Sequence, residues 1–287
     1  MNLESLFQKF VKERRYFKNT SERTIKYYHL CWSRFRKALP DAQTIDKPTL
    51  NEFLILLRES GIAPVTCNIT IRGINSFLSW LFESGHTQEH FKLKQLKIEK
   101  KILKTFSDKH LKAILSWKPH DFVGWRLYAL LCLLIDTGIR IEEALTLPIS
   151  KVDSDNMLIT VRGKGNKERI VPMSFELRKV LLRYQRMHPH SHALLFPTRD
   201  GGRLSYHNIL RDFKNLAKEL GIEGVRVSFH TLRHGFALNY IRNGGSPFHL
   251  KKAMGHSDLK TTLGYVELVT EDLQQEHTKT SILNRLR

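Results

Sequence analysis

Residues 230–265 run HTLRHGFALNYIRNGGSPFHLKKAMGHSDLKTTLGY, and this stretch decides how the second half of the chain is interpreted. It pairs His230 with Arg233, places His256 after a glycine, and ends on Tyr265 nine residues further on. Each feature alone is weak evidence. A His-x-x-Arg pair is more often structural than catalytic, and a lone tyrosine usually lies at the edge of a core. The stretch gains its meaning from the motifs that precede it.

Two polar motifs lie upstream. The first, TGIRIEE at 137–143, follows a strongly apolar helix that is predicted from Trp125 and ends at a glycine. The second, RGKGNKER at 162–169, holds the turn of a predicted β-hairpin with strands at 157–161 and 167–172. Taken separately, they are an arginine after a helix stop and a hairpin with a polar tip, and both are common features.

The charge of the chain favours a nucleic-acid partner. It has 47 Lys and Arg against 28 Asp and Glu, a net charge of +19 and an isoelectric point near 9.9. A protein this basic is usually matched to a polyanion. The other interpretations of the charge are general solubility and binding to an anionic membrane surface.

The sequence predicts no membrane segment, no metal site and no cofactor. Its longest apolar run, 127–135, is far shorter than the ~20 residues that span a bilayer. No secretion signal opens the chain, so we expect a cytoplasmic, nucleoid-associated protein. The cysteines lack the CxxC spacing of metal sites and are expected as small core side chains: Cys31, Cys67 and Cys132.

A chain of 287 residues predicts two domains, at roughly 100–200 residues per domain. Residues 1–88 show helical spacing of apolar residues in four segments. Residues 105–287 combine further helices with the hairpin. The expected fold class is therefore mainly α, with a four-helix domain followed by a mixed α/β domain that is mostly helical and carries a small antiparallel sheet.

Residues 89–104, which join the two predicted domains, are dense in lysine. A run of like charge is most often only a solvated face. Between two domains of a basic protein, a linker that lies along DNA phosphates is at least equally expected.

In this order and spacing the motifs resemble those of the tyrosine recombinases, also called the phage integrase family, and especially its short Xer-like and integrase-like members. The resemblance rests on TGIR, GKGNKER, HTLRH, GHS and Tyr265 and covers about 105–275. Residues 1–88 are similar in type and length to the family's SAM-like core-binding domain. The resemblance implies a site-specific recombinase that cuts and rejoins DNA through a 3′-phosphotyrosine intermediate, for integration, excision or resolution through a Holliday junction.

The resemblance also implies a catalytic set that needs no metal. Arg140 and Arg233 would clamp the scissile phosphate, because planar guanidinium groups give two parallel donors at a fixed charge. His230 and His256 would complete the ring of donors, with His230 also as the general base. Tyr265 would attack the phosphorus, and the phosphotyrosine bond would conserve the energy needed for rejoining.

Lys164, Lys167 and Glu143 receive further roles from the same resemblance. Lys164 at the hairpin tip would be the general acid for the leaving 5′ hydroxyl, and Lys167 is a second candidate on that turn. Glu143 lies one helical turn after Arg140 and would orient the cations, although an ordinary surface glutamate is the other interpretation. Gly264, beside the tyrosine, is expected to loosen the helix by up to about 1 kcal/mol relative to alanine.

The family resemblance implies a tetramer on two DNA duplexes, with a C-terminal segment passed to a neighbouring protomer. In this chain that segment follows Tyr265, and its alternative is to pack on its own domain. Two other functions stay open. A type IB topoisomerase shares nearly the same catalytic set but acts as a monomer, and a regulator with a dead site would bind DNA without cutting it.

Overall fold

The structure is a computed structural model that describes residues 2–98, 104–163, 167–188, 192–256, 258–269, 277 and 281–283. The chain divides into two compact units, Met1–Lys101 and Ile102–Arg287. Among the described residues both units are mainly helical, and the second contains a three-stranded antiparallel sheet. The predicted fold class is therefore confirmed.

Four helices build the first unit, and side chains cap three of them. The side chains of Asn2, Ser21 and Asp46 accept hydrogen bonds from backbone N–H groups three residues further on, which satisfies donors that an isolated helix start leaves open. The apolar faces meet in an aromatic core that includes the completely buried Phe10 and Phe35. The helices are α1 (Leu3–Tyr16), α2 (Glu22–Ala38), α3 (Lys47–Glu59) and α4 (Pro64–Glu83).

An extended segment, residues 91–96, is clamped along α4 by two asparagines. Asn75 donates to the carbonyl of Leu93 at 2.9 Å and accepts from its N–H at 2.9 Å. Asn68 makes the same pair of bonds with Leu96, at 2.9 and 2.7 Å. Seven helical residues rise about 10.5 Å, and three extended residues span about 10 Å, so the two spacings match. Leu93 is buried, whereas the neighbouring lysines are exposed: Lys92, Lys94 and Lys97.

The second unit packs its helices around α6 and beside a short sheet. The described helices are α5 (Asp108–Ser116), α6 (Phe122–Thr137), α7 (Ile141–Leu145), α8 (Phe175–Gln185), α9 (Tyr206–Glu219), α10 (Phe229–Arg242), α11 (Pro247–Met254) and α12 (Leu259–Val269). The strands are β1 (Val152–Asp153), β2 (Leu158–Arg162) and β3 (Glu168–Pro172), in the order β1-β2-β3. The hairpin that the sequence predicts is β2 and β3, with Val161 opposite Arg169. Residues 164–166 of its turn lie outside the described residues.

Helix α6 is apolar on nearly every side because it is buried between α8 and α10. It ends at Gly138, whose φ of 60° is left-handed, and a Cβ there would collide with the ring of Phe236. Only glycine combines that backbone with that close approach. The next residues are thereby turned into α7, whose N-cap is Arg140.

A smaller apolar cluster packs α12, the last helix named above, against the rest of the second unit. Leu250 and Met254 of α11 and Ala237 and Leu238 of α10 pack with Tyr265 of α12. This cluster fixes α12 against α10 and α11, and only 7% of the surface of Tyr265 stays accessible. The three cysteines are buried and free, as predicted.

Two findings concern the described residues alone. None of their helices is both long enough and apolar enough to cross a membrane. No group of three or more His, Cys, Asp or Glu side chains among them is arranged to hold a metal ion.

Candidate active site

The end of α11 collects three arginine side chains. Gly255 takes a left-handed conformation, with φ 63° and ψ 45°, and so ends the helix with its last carbonyls free of helical partners. These carbonyls are also the negative end of the helix dipole, which favours cations. The carbonyl of Ala253 accepts a hydrogen bond from Arg169 Nε at 2.8 Å. The carbonyl of Met254 accepts from Arg233 Nη2 at 2.8 Å and from Arg140 Nη1 at 3.3 Å. The carbonyl of Gly255 accepts from Arg140 Nη2 at 3.1 Å.

Each arginine reaches this point from a different element. Arg140 is the N-cap of α7, directly after the turn at Gly138. Arg233 lies on α10, is buried, and donates through Nη1 to the carbonyl of Gly138 at 2.6 Å. Arg169 lies on β3 two residues before the buried Val171, so it shares the inward face of that strand. The site therefore depends on helix ends and a strand edge that the fold brings together.

Glu143 is the counter-ion of this cluster. Its carboxylate accepts two hydrogen bonds from Arg169 at 2.8 Å each, one from Arg140 Nη1 at 3.0 Å, and one from the Arg140 N–H at 2.8 Å. Burial acts to raise its pKa, but the bonds to Arg169 and Arg140 outweigh burial and lower it. Glu143 is only 6% exposed, so it is not an ordinary surface glutamate.

The cluster carries a surplus of positive charge. Three guanidinium groups and one carboxylate give +3 − 1 = +2, counting Arg140, Arg169, Arg233 and Glu143. Burial and then the neighbouring Arg140 lower the pKa of Arg233 to about 10, so it stays protonated at neutral pH. A site of this kind is suited to an anion that gains negative charge during reaction.

The structure brings five of the predicted catalytic residues to one cleft, which His234 and Thr261 also line. The five are Arg140, His230, Arg233, His256 and Tyr265. Glu143 lies behind them, against the arginines. Lys164 falls outside the described residues. Lys167 lines an adjoining groove together with Arg140, Arg169 and His256. Tyr265 therefore lies in the cleft formed by its own chain.

His256 is held beside the tyrosine as a neutral ring. Its Nδ1 is 2.9 Å from Oγ1 of the fully buried Thr262, and its ring lies 6.4 Å from that of Tyr265 at an interplanar angle of 15°. Burial, followed by the charges of Arg233 and Arg140, lowers the pKa of His256 to about 4. A neutral imidazole bonded at Nδ1 can present Nε2 to a ligand in the cleft.

The hydroxyl of Tyr265 is bonded to a histidine to which the sequence analysis gave no role. It lies 2.8 Å from Nδ1 of His234, and the two ring centroids are 5.6 Å apart. Burial raises the pKa of Tyr265, and Arg233 partly offsets that effect. Burial, and then the charges of His230 and Arg233, lower the pKa of His234.

The sequence analysis gave no role to His234 or Arg169, although the sequence carries a signal for each. His234 lies four residues after His230 on one helix, and that spacing places both on the same face. Arg169 lies two residues before the apolar Val171 in a predicted strand, and that spacing places both side chains on the same face. In each case the pattern was visible, but the partner that gives it meaning lies on another element.

A cleft that sets a phenol beside two guanidinium groups and neutral imidazoles defines a class of enzyme, one that transfers a phosphate ester onto tyrosine. The family model described as "Phage integrase family" matches residues 104–271, more than half of the chain. The chain belongs to this family, the tyrosine recombinases, and is a site-specific recombinase that cleaves and rejoins DNA strands. The family and function implied by the sequence motifs are therefore confirmed.

Individual relatives agree with the family assignment. The chain is 30% identical over 233 residues to tyrosine recombinase XerD of Brucella melitensis, covering 75% of each sequence. It is 26% identical over 270 residues to tyrosine recombinase XerA of Pyrococcus furiosus, covering 93% of this chain and 91% of the relative. Its fold is similar to a crystal structure of the XerH site-specific recombinase bound to palindromic difH substrate, with a TM-score of 0.72 and 22% identity over 95% of this chain and 83% of that one.

Proposed function

We propose that this recombinase forms a 3′-phosphotyrosine bond through Tyr265 at a specific DNA site. The observation that carries the proposal is the position of the Tyr265 hydroxyl, in one cleft with Arg140 and Arg233 of the same chain. A phosphodiester gains negative charge on its non-bridging oxygens as a nucleophile adds. The surplus of two positive charges in the arginine cluster is matched to that gain.

The other groups of the cleft divide the remaining work. Arg140 and Arg233 bind the non-bridging oxygens, while Glu143 and Arg169 hold Arg140 in place from behind. His256 donates from Nε2 while Thr262 holds Nδ1. His230, which is exposed at the first turn of α10, completes the ring of donors.

The leaving 5′ oxygen needs a proton, and two lysines of the hairpin are candidates for the general acid that supplies it. Lys164 is the proposed acid by family resemblance, and Lys167 is the second candidate, exposed in the groove beside Arg169. A substrate with sulfur in place of the bridging 5′ oxygen separates them, because a thiolate leaves without an acid. Replacement of the true acid by alanine should block cleavage of the oxygen substrate and leave the sulfur substrate nearly as reactive as with the wild type.

We further propose that four protomers act on two duplexes and exchange strands in pairs. The DNA partner is supported by the net charge of +19 and by the relative crystallised on its DNA substrate. Exchange of the C-terminal segment is supported by Ile282 and Leu283, whose side chains are 64% and 74% exposed. Most of the segment after Val269 lies outside the described residues. Sedimentation of the protein with two site-bearing duplexes should give a complex of four protomers.

The central experiment is covalent capture on DNA whose target sequence need not be known. The protein is incubated in EDTA with fragmented DNA of its source cell, and protein-linked fragments are recovered under denaturing conditions and sequenced at the linked 3′ end. The wild type should enrich one short inverted-repeat site, whereas Tyr265→Phe should capture nothing above background. Tyr240→Phe is the matched control, since Tyr240 lies on α10 and is not among the residues that line the cleft.

The capture experiment also decides against the alternatives. Covalent fragments from Tyr265→Phe would show that another residue is the nucleophile. Capture without any preferred sequence, together with relaxation of every supercoiled plasmid by a monomer, would favour a topoisomerase. Tight binding without capture by the wild type would favour the inactive regulator.

A further inference from the structure

The nucleophile of this protein is already paired with a proton acceptor. Tyr265 Oη lies 2.8 Å from His234 Nδ1, which is the distance of a short O–H to N hydrogen bond. The two residues come from α12 and α10, which pack along each other. The contact is therefore set by the packing of two helices and does not depend on a loop.

The protonation states of the pair allow the tyrosine hydroxyl to donate to the histidine in this bond. The raised pKa of Tyr265 keeps its hydroxyl protonated near neutral pH, so the hydroxyl has a proton to donate. The lowered pKa of His234 keeps its ring neutral, so Nδ1 can accept while Nε2 carries the ring proton. The titratable and charged groups that share the cleft with this pair are Arg140, His230, Arg233 and His256.

His230 stands in a different relation to the nucleophile. It lines the same cleft but is exposed, at the N-terminal turn of α10. Within the described part of the chain, the hydrogen bond of the Tyr265 hydroxyl goes to His234 and not to His230. His230 is thus placed to meet a phosphate oxygen arriving from solvent, and His234 is placed to meet the phenol.

We propose that His234 is the general base that removes the proton from Tyr265 during strand cleavage. The inference rests on the proposed function of Tyr265 and replaces His230 in the role that family resemblance gave it. In the step, a bond forms between Tyr265 Oη and phosphorus, and the bond from phosphorus to the 5′ oxygen breaks. The phenolic proton moves to His234 Nδ1, and the 5′ oxygen takes a proton from the lysine acid of the hairpin. In rejoining, His234 returns its proton to the departing phenolate.

The test isolates the attack step with the sulfur-bridged substrate, which needs no acid for its leaving group. Formation of the covalent complex is timed between pH 5 and 8 for the wild type, His234→Asn and His230→Asn. Asparagine keeps a polar atom near the position of Nδ1 but cannot take up a proton. We expect His234→Asn to be slower by about 10²- to 10⁴-fold and to lose the fall in rate towards acid pH. His230→Asn should keep that acid limb, whatever its effect on the rate.

Chemical rescue separates a base from a residue that only positions the tyrosine. His234→Ala leaves space beside the hydroxyl, and added imidazoles of graded basicity should restore cleavage with rates that rise with the pKa of the added base. Rescue that is independent of basicity would overturn the proposal. So would a His234→Asn protein that cleaves within about 3-fold of the wild-type rate and keeps the acid limb.

The outcomes distinguish this inference from the proposed function. If the wild type forms no covalent complex at all, the proposed role of Tyr265 is wrong. If the wild type does so and His234→Asn matches it, only the assignment of the base is wrong. DNA affinity and thermal unfolding of each variant are measured alongside, and the rescue of His234→Ala shows directly that a variant without the imidazole still folds into a competent site.

Discussion

Arg169 grips Glu143 with two parallel hydrogen bonds of 2.8 Å each, Nη1 to Oε1 and Nη2 to Oε2. The geometry is the fork-to-fork arrangement in which arginine and carboxylate bind most strongly. The side chains of Arg169 and Glu143 are 12% and 5% exposed, so the pair is shielded from water. The same carboxylate bonds to Arg140, and the strand β3 is thereby linked to an arginine of the cleft.

Glu143→Gln should therefore destabilise the second unit strongly. Removal of one partner from a buried ion pair leaves the other charge uncompensated, which costs about 3–5 kcal/mol. Here the uncompensated charge is that of Arg169, with Arg140 and Arg233 close by. We expect a lower denaturant midpoint for the second unit and a cleavage rate reduced even at temperatures where the variant is folded.

The matched control is Glu168→Gln, at the residue next to Arg169 on strand β3. Glu168 pairs with Lys151 at 3.2 Å, but the two side chains are 52% and 44% exposed, and such surface pairs contribute about 0–1 kcal/mol. Equal loss of stability in both variants would show that burial of the Glu143 pair has no energetic consequence.

The pH dependence of the same pair has a definite sign. The folded-state pKa of Glu143 lies below its ordinary value of 4.5. Its stabilisation is therefore fully present above pH 4.5 and is lost as the pH falls through the folded-state value. The difference in free energy of unfolding between the wild type and Glu143→Gln should be constant from pH 5 to 8 and shrink below pH 4.5, as measured by denaturant titrations at each pH.

Gly255→Ala should damage the arginine cluster although it replaces no charged residue. The φ of 63° is strained for any residue with a Cβ, at roughly 1–2 kcal/mol, and the added carbon would lie 3.0 Å from Cζ of Arg169. Helix α11 would then end differently, and its last carbonyls would no longer hold Arg140 and Arg233. We expect lower thermal stability and a fall in covalent complex formation of at least tenfold, by estimate from the ~1.4 kcal/mol that a factor of 10 represents.

Gly264→Ala is the control for this change, nine residues along the chain and beside Tyr265. A Cβ at Gly264 would meet nothing within 4 Å, and the residue lies inside helix α12. Alanine there should raise stability by up to about 1 kcal/mol. A Gly255→Ala protein that melts and cleaves like Gly264→Ala would contradict the assigned role of the α11 end.

The sequence predicted which residues line the cleft better than it predicted the contacts that hold them. Motif order placed Arg140, Arg233, His256 and Tyr265 in one site, and the structure brings these side chains together. It could not predict the pairing of Glu143 with β3, because that contact joins positions 26 residues apart on different elements. The five-residue helix α7 was anticipated only as the single helical turn from Arg140 to Glu143, since it is too short to show a periodic pattern.

The basic segment after α4 shows a different limit. The density of lysine in residues 89–104 favours their interpretation as a linker. In the structure, however, residues 91–96 of that range are clamped to the first unit. The clamps come from Asn68 and Asn75, whose side chains pair with backbone groups. Since any residue offers the same backbone groups, no sequence pattern in the clamped segment marks the contact.

Asn75→Ala should release the middle of the clamped segment. The change removes both hydrogen bonds to the buried Leu93, and an unsatisfied buried group costs about 1–3 kcal/mol. Exchange of the Leu93 amide hydrogen should therefore become about 5- to 150-fold faster, as followed by NMR. The amide of Leu96, which Asn68 still holds, should change less. Asn51→Ala, at an exposed position of α3, is the control and should leave both amides at wild-type rates.

The clamped segment also makes a prediction about DNA binding. Lys92 and Lys94 of this segment, and Lys97 directly after it, are exposed along one stretch of the first unit. Each lysine that contacts a phosphate releases a counterion, worth about 0.9 in the slope of log affinity against log salt concentration. Replacement of all three by glutamine should make that slope shallower by about 2.7 in a titration of duplex DNA by fluorescence anisotropy.

A matched triple change makes the salt measurement specific. Three exposed lysines of the α1 region belong to the same unit and remove the same charge when replaced by glutamine: Lys9, Lys12 and Lys18. General attraction between a basic protein and DNA would lower both slopes alike, whereas direct phosphate contact by the clamped segment lowers the first far more. Equal slopes for the two triple variants would show that these lysines form only a solvated face.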